Sequence, residues 1–498
     1  MRPYDVLIVG GGIVGAVTAR ALSAHALSLA LLEKESDVGT GATKGNSAIV
    51  HAGFDPVPGT WKAKLNRIGN AALEPLCRTL HVPFVRNGSL VIAFSEEELR
   101  AIESLIDRGR ENGIPGLALL DPAALHALEP AVAPDALGAL HAPTGGIFGP
   151  YELTVAATEV AVANGMDLLR NHRVVAIRPD PPPPAVPAPD GARFTVVADA
   201  CRPDGTACER REFRARFVLD AAGVYADEVA ALAGDRRLSI HPRKGEYLLL
   251  DKRQGALVKN TCFRAPSAMG KGVLVSPTVD GNLLVGPTAV DQTDKEDTST
   301  TAEGLASVLA QGRRSVPGVD PSAVLTSFAG LRAVSSGHDF VLEESPLVPG
   351  LILAAGIESP GLVSSPAIAD RLLAVLADAG LDLVPRPDAR MDRDEPVRFR
   401  ELDDAARAAL IAKDPRYGHV LCRCERVTEG EILDAIRRPG GARDLDAVKR
   451  RTRAGMGRCQ SGFCLPRVAE VLARELSAEE ASLTKKGPGS ALVEGRLR

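Results

Sequence analysis

Three stretches of strand, glycine turn and helix, at residues 4–22, 217–234 and 351–380, predict an α/β protein with a Rossmann-type dinucleotide-binding domain. Between them run segments of antiparallel-strand character, which predicts a substrate domain interleaved with the nucleotide domain. A group of cysteines at residues 422–464 adds a small helical C-terminal unit built around metal.

The first stretch, YDVLIVGGGIVGAVTARAL, carries the strongest signal. A short buried strand runs into a G-x-G-x-x-G turn at Gly10, Gly12 and Gly15, and a helix follows. Gly10 permits the tight turn, Gly12 lets backbone approach a pyrophosphate, and Gly15 lets helix and strand pack closely. The helix N-terminus offers unpaired N–H groups and partial positive charge. The second strand, SLALLEKE, ends at Glu33, whose carboxylate suits ribose hydroxyls and repels a 2′-phosphate. The motif leaves FAD and NAD both open.

With 498 residues the chain has room for roughly two to four domains. Its 45% apolar and 24% charged residues are ordinary, and a net charge of −4 leaves no nucleic-acid footprint. No apolar run reaches transmembrane length, and residues 1–10 belong to the first strand, so a cytoplasmic protein is expected, with peripheral membrane contact open. Cys77, Cys201, Cys208 and Cys262 are scattered, whereas Cys422, Cys424, Cys459 and Cys464 are close-set. A cytosolic chain has little use for structural disulfides, so the close-set group points to metal.

After Glu33 comes a glycine-rich loop in which Thr43, Lys44, Gly45, Asn46 and Ser47 are placed to wrap a cofactor. His51 follows on the strand-like run AIVHAGF. Residues 62–80 and 95–113 read as helices, with a hairpin around Asn87-Gly88 between them. A helix closed by Gly165 precedes the strand HRVVAIRP. Residues 180–212 hold PPPP, PAPDG and PDG and read as an exposed excursion between strands. FVLDAAG returns to the nucleotide core; IHPRKGEYLLLDK, GVLVSPTVDGNLLVGPTA and TSFAGLRAVS read as the antiparallel sheet. The expected domains are residues 1–384, a polar linker at 385–417, a cluster domain at 418–485 and a tail at 486–498.

In the cluster domain, C-R-C at Cys422 and Cys424 is followed 35 positions after Cys424 by C-Q-S-G-F-C at Cys459 and Cys464. Four paired thiolates suit a two-iron cluster; structural zinc, which favours C-x-x-C knuckles, is the alternative. Thr428 to Glu431 form a capping box, and LPRVAEVLAREL is an amphipathic helix whose N-terminus faces the cysteines. Arg423, Lys449, Arg450, Arg451, Arg453 and Arg458 are expected to balance the cluster's negative charge, or to dock an acidic electron-transfer protein.

Through CRCERVTEGEI and TRAGMGRCQSGFC, the C-terminal part resembles the bacterioferritin-associated-ferredoxin-like [2Fe-2S] domain. Through GGGIVGAVTAR, GNSAIVHAGF, VLDAAGVYAD and AAGIESPGLVSSPAIA, the first 380 residues resemble the D-amino-acid-oxidase-like FAD-dependent oxidoreductases. The two in this order are similar to the anaerobic-type glycerol-3-phosphate dehydrogenase large subunit, while KGNSAIVHAGFD and PRKGEYLLLDK also resemble the L-2-hydroxyglutarate oxidase branch.

The resemblance implies FAD and a [2Fe-2S] cluster as cofactors, with Cys422, Cys424, Cys459 and Cys464 as cluster ligands. It implies flavin contacts at Gly10, Gly12, Gly15, Glu33, Thr43, Asn46, Ser47, Val175, Ala222, Gly223 and Gly356. It also places Gly361 and Leu362, at a helix start, where negative charge develops on a reduced flavin. Arg332 offers a guanidinium fork to a substrate anion, and His51 an imidazole base for the hydroxyl proton. Lys62, Lys64, Lys244, Tyr247 and His338 are secondary pocket candidates.

The expected function is oxidation of a small anionic secondary alcohol, first glycerol 3-phosphate, with electrons leaving through the cluster to a partner protein or quinone. L-2-hydroxyglutarate or another 2-hydroxy acid is the same-fold alternative, and an amine or amino acid the next. A non-enzymatic electron-transfer module would need a nicotinamide site, and no second G-x-G-x-x-G is found.

Overall fold

A computed structural model describes residues 3–179, 191–202, 208–265 and 272–493 of the chain. Most of the proline-rich excursion (residues 180–190), its PDG turn and the end of the tail lie outside the described residues.

The strand Tyr4–Val9 buries Val6, Leu7, Ile8 and Val9 in succession, as a parallel strand covered on both faces must. It pairs in parallel with Leu29–Glu33 on one side and with the second half of Cys208–Asp220 on the other. Leu351–Ala355 pairs in parallel with the same end of Cys208–Asp220. The three strand–turn–helix stretches therefore lie side by side, and their glycine turns open at one carboxyl edge, where open α/β sheets bind ligands. Helices Ile13–Leu22, Trp61–Thr79, Pro150–Ala163 and Gly361–Asp378 share one continuous apolar core against this sheet.

The first half of Cys208–Asp220 carries an antiparallel extension, Phe194–Cys201 and His172–Pro179. The register sets Cys201 opposite Cys208, and the two are disulfide-bonded. A disulfide runs against the expectation that a cytosolic chain has little use for one; the strand register brings the two cysteines together.

The substrate domain is a second, nine-stranded sheet, antiparallel apart from the pairing of Thr261–Arg264 with Ser89–Ala93. Ile240–Leu250 pairs along nearly its whole length with Val324–Ser335. The expected hairpin at Asn87-Gly88 does not form. Phe84–Val85 joins a three-stranded sheet with Gly146–Phe148 and Ile49–Val50, whereas Ser89–Ala93 joins the nine-stranded one. Long-range polar contacts outcompete the local pairing: Arg86 donates to Asn70 Oδ1 and Thr144 O, and Asn260 donates to Asn87 O.

Residues 385–417, read as a polar linker, include the helix Asp404–Lys413, and several of the charged side chains are tied to the main body. Arg393 pairs with Glu159 at 2.8 Å, both nearly buried, and Arg398 pairs with Glu152 at 3.3 Å. The high charge of the segment reflects a bound strap rather than a solvated spacer.

Beyond it, Val420–Cys422 pairs with Val427–Thr428, and helices Glu429–Arg437, Leu445–Thr452 and Leu465–Leu476 close a separate small core. Thr428 and Glu431 form the expected capping box. Among the described residues no helix is long and apolar enough to cross a membrane.

Candidate functional site

At the opening turn, Gly10 has φ +106°, and a Cβ there would stand 2.5 Å from Ala221 O. A Cβ on Gly15 would stand 2.1 Å from Gly10 O. Strand, turn and helix thus approach closely only because both are glycine. Gly12 precedes the helix Ile13–Leu22, whose first turn carries no acid, and no backbone crowds the space beside it. Thr43 Oγ1 accepts from Ile13 N–H at 3.0 Å, which brings the glycine-rich loop to this helix end. Glu33 is nearly buried; it accepts from Gly11 N–H at 2.7 Å and from Glu35 N–H at 2.9 Å. Burial raises its carboxyl, and those two N–H groups oppose the rise. A helix N-terminus, a close-packed glycine turn and a buried carboxylate fit an adenine dinucleotide.

Ala222 and Gly223 form the turn against Gly10, with Ala222 N–H donating to Asp220 Oδ1. Val175 lies at the register shift of His172–Pro179, where the ladder is interrupted. Asn46 is occupied within its own loop: its amide donates to Ala42 O and Thr43 O and its Oδ1 accepts from Ala48 N–H. It shapes the loop. Ser47 hydrogen-bonds the buried Tyr247, whose hydroxyl is raised by burial and whose ring stacks on Phe328 at 4.9 Å.

Gly45 meets Gly330 of the Val324–Ser335 strand. A Cβ on Gly330 would stand 1.8 Å from Gly45 O, and one on Gly45 would stand 2.8 Å from Gly330 Cα. Two facing glycines let the cofactor loop rest on the substrate sheet. Arg332 lies two residues on and donates from Nη2 to Thr288 O at 2.6 Å. Arg243, its neighbour across the register, is taken up bidentately by Asp291; Arg332 has no carboxylate in ion-pair contact among the described residues.

His51 Nε2 lies 3.1 Å from Ser359 Oγ. Its carbonyl accepts from Asn66 and Asn70 at 2.8 and 3.0 Å, so one helix face fixes the backbone that carries it. Ser359 sits in the turn that leads from Gly356, with φ +67°, into the helix Gly361–Asp378. That helix has no acid in its first turn and no side-chain cap; Gly361 N–H donates back to Glu358 O, which leaves the N–H of Leu362 at the helix start suited to developing negative charge. The structure therefore joins His51 to this turn. Lys62 pairs with Glu358 at 2.7 Å and Lys244 with Asp297 at 2.7 Å, while Lys64 lies over the Trp61 ring. His338 is exposed, at φ +57°.

The four cysteines come together as two pairs, Cys422 with Cys464 and Cys424 with Cys459. The Cys464 hydrogen bond brings the Cys422 thiol down to about 6, helped by the N–H groups of Gly455 and Glu425. A Cβ on Gly457 would stand 2.3 Å from Cys424 Cβ, so the two loops interlock. Two thiol pairs with N–H groups aimed at sulfur fit a two-iron cluster held by four thiolates. Cys464 also leads directly into the helix Leu465–Leu476.

Four of the basic residues around the cysteines do something other than expected. Arg450 and Arg451 pair with Asp37, Arg453 with Glu425 and Asp280, and Arg458 with Asp251. They bind carboxylates, mostly of the FAD-side domains, rather than simply offsetting the cluster. Asp37, Ser359, Asn66, Asn70 and Glu425 escaped the sequence reading. Asn66 and Asn70 had a legible signal, two amides at helical spacing on an otherwise apolar face.

Residues 5–375 match the FAD dependent oxidoreductase family, and residues 420–474 match the BFD-like [2Fe-2S] binding domain. The glycerol 3-phosphate dehydrogenase of Caloramator mitchellensis is 44% identical over 99% of this chain and 98% of its own length. A subunit of the anaerobic glycerol-3-phosphate dehydrogenase of Escherichia coli K12 is 29% identical over 94% of this chain and 88% of its own. The dithionite-reduced L-alpha-glycerophosphate oxidase of Mycoplasma pneumoniae with FAD bound superposes with a TM-score of 0.72 at 30% identity, covering 80% of this chain and 100% of that one. The chain belongs to the FAD dependent oxidoreductase family and carries a BFD-like [2Fe-2S] binding domain behind its oxidoreductase core.

Proposed function

We propose that the protein is an FAD-dependent dehydrogenase that oxidises glycerol 3-phosphate to dihydroxyacetone phosphate. The observation that carries this reading is the near end-to-end likeness to a glycerol 3-phosphate dehydrogenase, across both the oxidoreductase core and the four-cysteine domain. Bound FAD supplies a hydride acceptor, and the cluster supplies one-electron transfer onward.

The chain's own residues do the rest. His51 takes the hydroxyl proton at Nε2 by way of the Ser359 hydroxyl, 3.1 Å away, which passes its own proton to the ring as it accepts the substrate's. Asn66 and Asn70 hold the His51 carbonyl and so fix where the base stands. Arg332, anchored on the Thr288 carbonyl, offers its remaining donors to the anionic end of the substrate. The helix that opens at Gly361 offers the N–H of Leu362 to negative charge on the acceptor side. A protein carrier or a quinone receives the electrons.

The test is anaerobic mixing of the purified holoenzyme with candidate substrates while flavin absorbance is followed. Glycerol 3-phosphate is expected to bleach the flavin within seconds, with L-2-hydroxyglutarate and amino acids inert. Bleaching by L-2-hydroxyglutarate alone would move the assignment to the 2-hydroxy acids.

A further inference from the structure

Two sets of cations stand apart in the cluster domain. Arg450, Arg451 and Arg453 turn inward and are nearly buried against Asp37, Asp280 and Glu425. Arg423, Arg426 and Arg467 turn outward, are exposed, and make no ion pair among the described residues. The only acid between Arg423 and Arg426 is Glu425, which is buried and already held by three cations. No acid occurs between Arg458 and Arg467.

These outward arginines lie on the first cysteine loop and on the helix that follows the second. Arg423 and Arg426 flank Cys424, the one cysteine of the four that is exposed, and Arg467 stands in the first turn of the helix that begins after Cys464. Next to Cys464 is Phe463, with 85% of its surface exposed, the most exposed large apolar side chain described. An aromatic side chain left in water beside the cluster cysteines, together with exposed arginines on the same segments, has the composition of a protein-docking surface. Its unbalanced positive charge selects an acidic partner and steers its approach.

We propose that Phe463, Arg423, Arg426 and Arg467 form the docking surface for an acidic one-electron carrier protein, which receives electrons at the Cys424 edge of the cluster. This rests on the dehydrogenase reading above. Each glycerol 3-phosphate oxidised gives up two electrons and two protons. Two carrier molecules are reduced by one electron each, and the protons are released to solvent.

Two haem proteins of opposite surface charge serve as probes: cytochrome b5, which is acidic, and cytochrome c, which is basic. With holoenzyme and glycerol 3-phosphate under anaerobic conditions, haem reduction is followed as a function of ionic strength. Reduction of cytochrome b5 is expected to fall at least about tenfold as salt rises, and at least about tenfold in Arg423→Glu/Arg467→Glu. Phe463→Ala is expected to weaken binding of oxidised cytochrome b5 in a calorimetric titration about tenfold. In all variants cluster absorbance and flavin bleaching by substrate stay at the parent level. Cytochrome c is expected to react no more slowly with the charge-reversed variant than with the parent. Cytochrome b5 reduction and binding indifferent to both variants would overturn the proposal. So would Phe463-dependent binding to phosphatidylserine vesicles with unchanged haem kinetics, which would make the surface a membrane contact. The titration needs no substrate, so a failure of glycerol 3-phosphate to bleach flavin would strike the substrate reading and leave the docking result standing.

Discussion

Asp37 and Arg451 meet in a two-point ion pair, Nη1 to Oδ2 at 2.7 Å and Nη2 to Oδ1 at 2.9 Å, with the carboxylate fully buried. Arg450 adds a third contact at 2.7 Å. Asp37 lies four residues beyond Glu33, and the N–H of Gly39, two further on, donates to Gly11 O in the nucleotide turn. The cluster domain therefore grips the loop that follows Glu33 and packs on the nucleotide turn. Asp37 is one of the carboxylates that join the two domains.

Replacing Asp37 by Asn leaves two buried guanidinium groups without their counter-charge. Breaking a buried pair in this way costs about 3–5 kcal/mol. Burial pushes the Asp37 carboxyl up, but the charges of Arg451 and Arg450 and their hydrogen bonds outweigh it and hold the group well below its usual value of 3.8. A depressed folded-state value means stability that is present above about pH 4 and lost as the pH falls further. Urea unfolding of the parent between pH 6 and 3 is expected to steepen at the acid end, and Asp37→Asn to be weaker at pH 6 and flatter below.

Gly330 is the second point of attachment. An alanine there would drive its Cβ into Gly45 O, which is backbone and cannot rotate aside. Overpacking of this kind costs about 1–3 kcal/mol, and here the displaced element is the loop of Thr43, Asn46 and Ser47. Gly330→Ala is expected to purify with less than half the parent's flavin while the cluster absorbance is retained, read from a single visible spectrum.

How far the sequence carried depends on the range of each interaction. Gly10, Gly15 and Glu33 act within one strand–turn–helix unit, and their spacing displays that geometry. The capping box at Thr428 and Glu431 is equally local. Asn87-Gly88 has the chemistry of a hairpin, yet it crosses between sheets because Arg86 and Asn260 hold it from afar. The charged strap at 385–417 reads as solvated for the same reason, since the carboxylates of Glu152 and Glu159 that hold it lie more than 200 positions upstream. Asp37 and Glu425 have no signature at all; each is one acid in a polar string, and its partners are brought by the fold.

In the proposed reaction, His51→Asn and Arg332→Lys would separate base from anion binding. Loss of a positioned base lowers turnover about 10²–10⁴-fold. His51→Asn should therefore slow anaerobic flavin bleaching on that scale at saturating substrate. Arg332→Lys keeps a charge but loses the planar fork, so KM for glycerol 3-phosphate is expected to rise at least about tenfold, with a smaller change in kcat. Because Arg332 also donates to Thr288 O, thermal unfolding should be measured alongside; a large drop in melting temperature would assign the effect to the sheet instead.

Glu425 offers the sharpest separation of the two half-reactions. Its Oε2 accepts from Lys252 at 3.0 Å, Arg400 at 3.1 Å and Arg453 at 3.0 Å, which come from the substrate sheet, the strap and the cluster domain respectively. One oxygen thus ties three segments immediately beside Cys424. Glu425→Gln removes the charge and keeps the volume, leaving three cations facing one another across the domain boundary; a buried charge stripped of its partner costs about 3–5 kcal/mol. Asp280 still holds Arg400 and Arg453, so the cluster domain should loosen rather than unfold. The expected result is faster proteolytic cutting within residues 385–417 and slower reduction of the cluster, with flavin bleaching by substrate at the parent rate. Equal slowing of both steps would show that Glu425 supports the oxidoreductase core itself, since the substrate half-reaction needs no contact with the cluster domain.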